Sequence, residues 1–323
     1  MLKTGILLTN TGTPDAPTPR AVRRYLREFL SDPHVVQLPR AIWLPILYGL
    51  VLPFRSHRSA KLYQKIWTIE GSPMRVMMEK ITAQLKEKWG GEMEIALGMN
   101  YGSPSIQQAL DYLRGKQVNN LIVLPLFPQY STTTTASSFD RVHTILSSWP
   151  TLPASHFVLD YADHPSYIQA LANSIQERWK KAGPSPHLLI SFHGIPERLV
   201  RAGDPYRDQC EKTAALLAQA LRLPTGKWTL CFQSQFGYDK WLQPSLHSLL
   251  TELPQRGIKQ VDVICPGFAV DCLETLEEIA IRGQETFLHA GGKLLRYLPA
   301  LNASEQHIEM LVKIINRAIL QKV

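Results

Sequence analysis

The sequence predicts an α/β protein built as two similar doubly wound halves, and three observations carry that prediction. Short, continuously apolar runs alternate with longer segments of helical periodicity along the whole chain. Eight such strand–helix units follow one another, four on each side of residues 165–185. The apolar runs lack the alternation of a half-solvated antiparallel sheet, so they read as parallel strands covered on both faces.

The first half opens on GILLTN (5–10) as a buried strand. RAVRRYLREFL (20–30) then sets Val22, Tyr25, Leu26, Phe29 and Leu30 on one helical face. EIALGM (94–99) is a strand, and SPSIQQALDYLR (103–114) a helix with Pro104 near its first turn. NNLIVLPLF (119–127) is the third strand, followed by a Ser/Thr-rich entry to a helix over 131–148. SHFVLDY (155–161) is the fourth, with a helix from Pro165 to Lys181. The second half repeats the pattern. Its strands are 187–193, 227–233, 260–266 and a short 292–298. Its helices are 206–221, 241–253, 271–282 and the terminal 304–320. KKAGPSP (180–186) marks the linker, so the expected domains are 1–165 and 166–323.

At 323 residues and 45% hydrophobic content the chain can bury a core in each half. The formal net charge is +8, and residues 1–65 hold ten Lys or Arg against three acids. Such a bias favours an anionic partner or a solubilising surface. Nucleic acid is not expected, because positive charge is its only support and no binding motif accompanies it. The four cysteines, Cys210, Cys231, Cys265 and Cys272, form no C-x-x-C, which predicts free thiols in a reducing setting. The opening residues show no secretory h-region, so a cytoplasmic location is expected. No apolar run reaches the roughly 20 residues of a membrane span. AIWLPILYGLVLPF (41–54) comes closest, broken by Pro45 and Pro53 and flanked by Arg40, Arg55 and Arg58. Its pattern reads either as buried core or as an interfacial segment.

In doubly wound folds ligands sit at the carboxyl ends of strands. Those ends carry NTGTP (10–14), PLFPQYSTTTT (125–135), FHGIPER (192–198), FQSQFG (232–237) and CPGFAVDCLETLEE (265–278). None holds G-x-G-x-x-G, a Walker loop, H-E-x-x-H or G-x-S-x-G, which removes the usual nucleotide, zincin and hydrolase readings. His193 is either tied to a backbone carbonyl or free to take a proton and meet a borderline metal such as Fe(II). Asp271 and Glu274 read as a helix cap, yet Asp271, Glu274 and Glu278 also share one face of an ideal α-helix. Phe192, Tyr101, Tyr130, Phe236, Trp241 and Phe268 lie near strand ends and suit either core or a flat polycyclic ligand. One histidine and one glutamate make a poor permanent metal cage but a workable transient one.

Motifs running through nearly the whole chain resemble the ferrochelatase family, the enzymes that insert Fe(II) into porphyrin. They are LLTNTGTPDAP, YLREFLSDP, GSPM, PLFPQYS, SFHGIPER with GDPY, FQSQFG with KWLQPSL, and PGFAVDCLETLEE with YLPALN. The resemblance implies two Rossmann-like domains of chelatase type with an active-site cleft between them. It makes His193 and Glu274 the essential pair and the transient ligands of Fe(II). It implies Asn10, Thr11, Tyr101, Tyr130, Ser234, Phe236, Trp241, Phe268 and Asp271 as porphyrin-pocket positions. It also turns residues 41–54 into an apolar lip facing a membrane, so the expected location is cytoplasmic and peripheral at its inner face.

Two residues depart from the family pattern. Cys272 stands where a histidine is often found, and Thr11 where some members have a larger residue. No cysteine follows Cys272, so no [2Fe–2S] cluster and no permanently bound cofactor is expected. Porphyrin and ferrous iron are the expected substrates, with protoporphyrin IX favoured by the apolar lip. Coproporphyrin or another tetrapyrrole is the near alternative, and a non-catalytic haem or porphyrin carrier the distant one.

Overall fold

The computed structural model describes residues 3–235 and 239–320, and the expected pocket position Phe236 lies outside them. Two compact units emerge. One comprises the chain up to Phe127, Ser131–Asp160 and the chain from Leu311 onward, and the other Pro128–Tyr130 and Tyr161–Met310.

The first unit carries a parallel sheet of four strands in the order β2-β1-β3-β4. The strands are β1 (Thr4–Thr13), β2 (Glu94–Gly102), β3 (Asn120–Pro125) and β4 (Ala154–Phe157). Helix α1 (Pro19–Leu30) is capped by the Thr18 side chain and buries Val22, Tyr25, Leu26 and Leu30, the face its periodicity predicts. Residues 40–66 are helical throughout: α2 (Arg40–Ile46), a π-helical turn (Leu47–Val51) and α3 (Leu52–Ile66). Pro45 and Pro53 do not break this segment. Each removes one main-chain donor, and the wide turn between them absorbs the mismatch. Ile42, Ile46, Tyr48, Leu50 and Phe54 are exposed while Leu47 and Leu52 are buried, so the run packs one face on the core and presents the other outward. Helix α4 (Pro73–Lys88) was not anticipated; its buried Met74, Met78, Ile81 and Leu85 keep the i, i+4 and i+3 spacing. Helices α5 (Ile106–Gly115) and α6 (Ser137–Leu146) cover the sheet. The Ser/Thr-rich entry to α6 is a π-helical turn, Thr132–Ala136, with Ser131 as its cap.

The second unit repeats the plan with strand order β6-β5-β7-β8. Helix α7 (Pro165–Ala182) leads into β5 (Leu188–His193), α8 (Glu197–Arg201) and α9 (Tyr206–Ala220). Then follow β6 (Trp228–Gln233), α10 (Leu246–Gln255) and β7 (Gln260–Ile264). The chain continues through α11 (Leu273–Thr275), a π-helical stretch (Leu276–Gly283), α12 (Gln284–His289), β8 (Leu294–Leu298) and α13 (Glu305–Leu320), whose residues from Leu311 belong to the first unit. Leu189, Cys231, Val261, Val263 and Leu295 from the strands pack with Leu250, Ile279 and Phe287 in one buried cluster. Each such apolar side chain contributes about 1.5–3 kcal/mol of transfer free energy. Away from the strand ends that carry chemistry, fully buried Asp262 accepts from Arg296 Nε at 2.7 Å, Ser185 Oγ at 2.6 Å and Trp179 Nε1 at 2.7 Å. That charged group fastens the end of α7 and the segment after it to β7 and β8, so residues 180–186 lie inside the second unit rather than between the two.

Each sheet therefore has a switch point where successive connections leave in opposite directions. It lies between β1 and β3 in the first unit and between β5 and β7 in the second. Ligand sites of doubly wound sheets form there.

Candidate active site

The β5/β7 switch point carries the densest chemistry. His193 ends β5 and pairs in register with Gln233, the last residue of β6. Five buried residues precede it, and His193 itself is half-buried. The next residue folds back at once, with Gly194 N–H donating to Gln233 O at 2.7 Å. A Cβ on Gly194 would sit 2.9 Å from that oxygen and 3.2 Å from the Trp241 ring, so only glycine fits the turn. The Gly194 carbonyl lies 2.6 Å from His193 Nδ1. A carbonyl only accepts, so Nδ1 carries the hydrogen and the neutral ring presents Nε2 as a lone pair. Tyr206 Oη donates to the His193 carbonyl at 3.0 Å and holds the main chain as well. One ring nitrogen is thus tied to a carbonyl, and in that tautomer the other is an acceptor.

Phe268 lies beside this ring, centroids 6.5 Å apart and planes at 53°. Trp241 is buried and packs under the turn at Gly194. The expected helix over 241–253 begins only at Leu246, which leaves Trp241 in the supporting loop. Tyr130 is half-buried, and its main-chain N–H donates to Gln209 Oε1 at 2.7 Å. Burial and the Asp204 charge push its phenol above the ordinary tyrosine value.

Glu274 stands in the first turn after the β7 loop, in α11. Its carbonyl accepts from Gln233 Nε2 at 2.7 Å. Asp271 precedes the helix and does not share its face. Its Oδ1 accepts from Tyr297 Oη at 2.5 Å and Thr275 Oγ1 at 3.1 Å, and its Oδ2 from Asn302 Nδ2 at 2.7 Å. Asn302 Oδ1 in turn accepts the Asp271 N–H at 2.9 Å, from a left-handed backbone with φ of 50°. Burial and the Asp271 charge hold the Tyr297 phenol protonated, far above its usual value. Asp271 is thus filled by its own chain, and the YLPALN segment supplies the donors.

The acids beyond Glu274 also depart from the ideal-helix expectation. From Leu276 the turn widens to i→i+5 bonding, so 3.6-residue spacing no longer aligns them. Glu278 is clamped by Ser234, whose N–H and Oγ donate to its two oxygens at 2.8 and 2.5 Å. Ser234 holds φ of 63°, a left-handed conformation costly outside glycine and common at functional sites. Glu277 is 1% exposed and pairs with Arg282 Nη2 at 3.1 Å. Cys272 is buried, and burial with the neighbouring Glu274 raises its thiol well above its ordinary value. It is a neutral thiol beside Glu274, not a thiolate ligand.

In the first unit, Asn10 is buried, bonding Met78 Sδ through Nδ2 at 3.5 Å and Thr11 N–H through Oδ1 at 2.7 Å. Thr11 is half-buried at the end of β1. Tyr101 is 2% exposed and donates to Asp32 Oδ2 at 2.7 Å, with Arg141 over its ring at 5.2 Å. Burial and Asp32 push its phenol pKa upward.

The ferrochelatase family model matches residues 3–319. The chain belongs to the ferrochelatase family. It is 50% identical to the ferrochelatase of Aeromonas hydrophila over 320 residues, 98% of this chain and 99% of that one. It is 49% identical to the ferrochelatase of Vibrio cholerae over 313 residues, 97% of each chain. Among solved structures it resembles SirB from Bacillus subtilis with Fe3+, at TM-score 0.57 and 11% identity, covering 98% of this chain and 95% of that one. It also resembles CbiX, described as the terminal enzyme of siroheme biosynthesis in denitrifying bacteria, at TM-score 0.52 and 15% identity, covering 97% and 99%. These structural likenesses bear out the two-sheet chelatase fold. Family membership makes the chain a porphyrin metal chelatase, a lyase whose reaction is Fe(II) insertion into protoporphyrin to give haem.

The sequence reading missed the residues that hold the candidate site residues in place. Gln233, Gly194, Tyr297, Thr275 and Asn302 all act on the two loops of the β5/β7 switch point. A usable signal existed for one of them: Gln233 is a polar residue closing an otherwise apolar strand, where a buried amide needs partners. Among the described residues, no group of three or more His, Cys, Asp and Glu side chains is placed to hold a metal ion.

Proposed function

We propose that His193 is the general base of metal insertion and that Glu274, in α11 beyond the loop that follows the neighbouring strand β7, serves the metal and the second proton. Insertion requires a planar macrocycle to lose two N–H protons and accept a dication. The observation that carries the reading is the Nδ1–H···O=C bond to Gly194, which presents Nε2 of His193 as a lone pair at the switch point. Such a base takes a pyrrole proton without a change of tautomer. Glu274 is an oxygen donor at a helix start, suited to a brief contact with Fe(II) or to passing on a proton. Phe268 offers an aromatic face beside the imidazole for a flat apolar ring. Fe(II) is substrate here, handled transiently by His193 and Glu274.

The exposed side chains of Ile42, Ile46, Tyr48, Leu50 and Phe54, next to Arg40, Arg55 and Arg58, support peripheral association with an anionic membrane surface. No described helix is long and apolar enough to cross a membrane.

Incubating the protein with protoporphyrin IX and Fe(II) or Zn(II), followed by absorption, tests the reading. Catalytic conversion of the free-base spectrum to that of the metalloporphyrin is expected. Stoichiometric binding of porphyrin or haem with no turnover would overturn it in favour of a carrier. Faster insertion into coproporphyrin in direct competition would reassign the substrate alone.

A further inference from the structure

We propose that Gln233 is a positioning residue that fixes the two reacting side chains at once, its main chain acting on His193 and its side chain on Glu274. The proposal rests on the roles given above to those two residues. Gln233 is 2% exposed at the end of β6, opposite His193 in the ladder. Its carbonyl accepts the Gly194 N–H at 2.7 Å. That bond orients the Gly194 peptide whose oxygen holds His193 Nδ1 at 2.6 Å. Its side-chain Nε2 donates to the Glu274 carbonyl at 2.7 Å. Its Oε1 accepts from Ser191 Oγ at 2.8 Å and Cys265 Sγ at 3.3 Å.

The assignment of the amide follows from its partners. The Glu274 carbonyl only accepts, so nitrogen must face it, and oxygen then faces the hydroxyl and the thiol. Burial pushes the Cys265 pKa well above its ordinary value, which keeps that group an S–H donor. One planar group therefore meets a donor demand on one side and two acceptor demands on the other. The amide supplies both whatever the pH, whereas a glutamate does so only when protonated. An ionised glutamate has no donor for the Glu274 carbonyl, and methionine has neither function. The three anchoring partners lie on β5, just past the end of β7 and in the Glu274 turn, so the amide ties the switch-point loops to the sheet. Partners that orient reacting or ligating groups commonly change activity by about 10- to 100-fold when lost.

The test compares Gln233→Met, Gln233→Glu, Ser191→Ala and Glu274→Gln in Zn(II) insertion, with porphyrin affinity read separately by fluorescence titration. Q233M and Q233E should lower kcat by about 10- to 100-fold while porphyrin Kd stays within about twofold. In the E274Q background, Q233M should cost less than about threefold more, because the residue its side chain positions has already lost its function and its main-chain bond to Gly194 is kept. S191A, which loosens the amide without removing it, should give a smaller loss with the same non-additivity. Two results overturn the proposal: Q233M and Q233E turning over at wild-type rate, or Q233M costing as much in E274Q as in the wild type. If Q233M does not fold, S191A at wild-type kcat overturns it equally. E274Q turning over normally removes the Glu274 role and this proposal with it. Slow E274Q beside fast Q233M and Q233E overturns the proposal alone.

Discussion

His307 is the group whose titration should be most visible in the stability of this protein. It sits in the first turn of α13, 1% exposed, with Nδ1 bonded to the Asn302 carbonyl. Burial pushes its pKa from 6.5 to about 4. Above the unfolded value both states are neutral and nothing is lost. As pH falls through 6.5 the unfolded chain binds a proton that the folded chain refuses, so stability declines until the folded value near 4 is passed. Linkage gives a loss of about 2 kcal/mol by about pH 5 and about 3 kcal/mol near pH 4. The perturbation is His307→Gln, which keeps a donor for the Asn302 carbonyl and removes the titration. Urea unfolding at about pH 7.5 and about pH 5 reads the difference. The wild type should lose about 2 kcal/mol more than H307Q across that interval. Parallel losses in the two proteins would refute the argument that burial holds His307 neutral. The consequence reaches the active site, because Asn302 is the residue whose side chain locks Asp271.

Three further outcomes are expected. Tyr297→Phe removes the 2.5 Å bond to the buried Asp271 carboxylate; a charged acceptor losing a donor costs about 1.5–3 kcal/mol, read as a Tm lower by several degrees. Gly194→Ala forces a Cβ to 2.9 Å from the Gln233 carbonyl. It should lower kcat by at least about tenfold and stability by about 1–3 kcal/mol, measured by metal insertion and urea unfolding. Leu50→Glu with Phe54→Glu should reduce sedimentation with anionic vesicles by about 100-fold and leave insertion into detergent-dispersed porphyrin within about twofold of wild type.

The sheets were legible because buried parallel strands are written as continuous apolar runs; all eight expected strands are present, with β4 and β8 shorter than their apolar pattern. Helix α4 escaped notice because its apolar positions are dispersed among Arg75, Lys80 and Lys86, although Pro73 opens it and Gly90 and Gly91 follow its C-cap Trp89. Periodicity also misled where the backbone is not α-helical. Asp271, Glu274 and Glu278 align only at 3.6 residues per turn, and the π-helical stretch from Leu276 together with the late start of α11 separates them. The switch-point rule located His193 from sequence. It could not show that Gly194 fixes the ring tautomer, because that bond depends on a main-chain fold one residue long. Asp271 reads as a cap, and in the structure Tyr297 and Asn302, some 26 and 31 positions away, account for it.

Zinc or ferrous insertion by His193→Ala, with and without added imidazole, measures the central claim most directly. General-base catalysis contributes about 10²–10⁴-fold. The variant should therefore lose at least about 100-fold in kcat, bind porphyrin normally, and recover part of its rate as imidazole is added. Insertion by His193→Ala at the wild-type rate, unaffected by imidazole, would contradict the account.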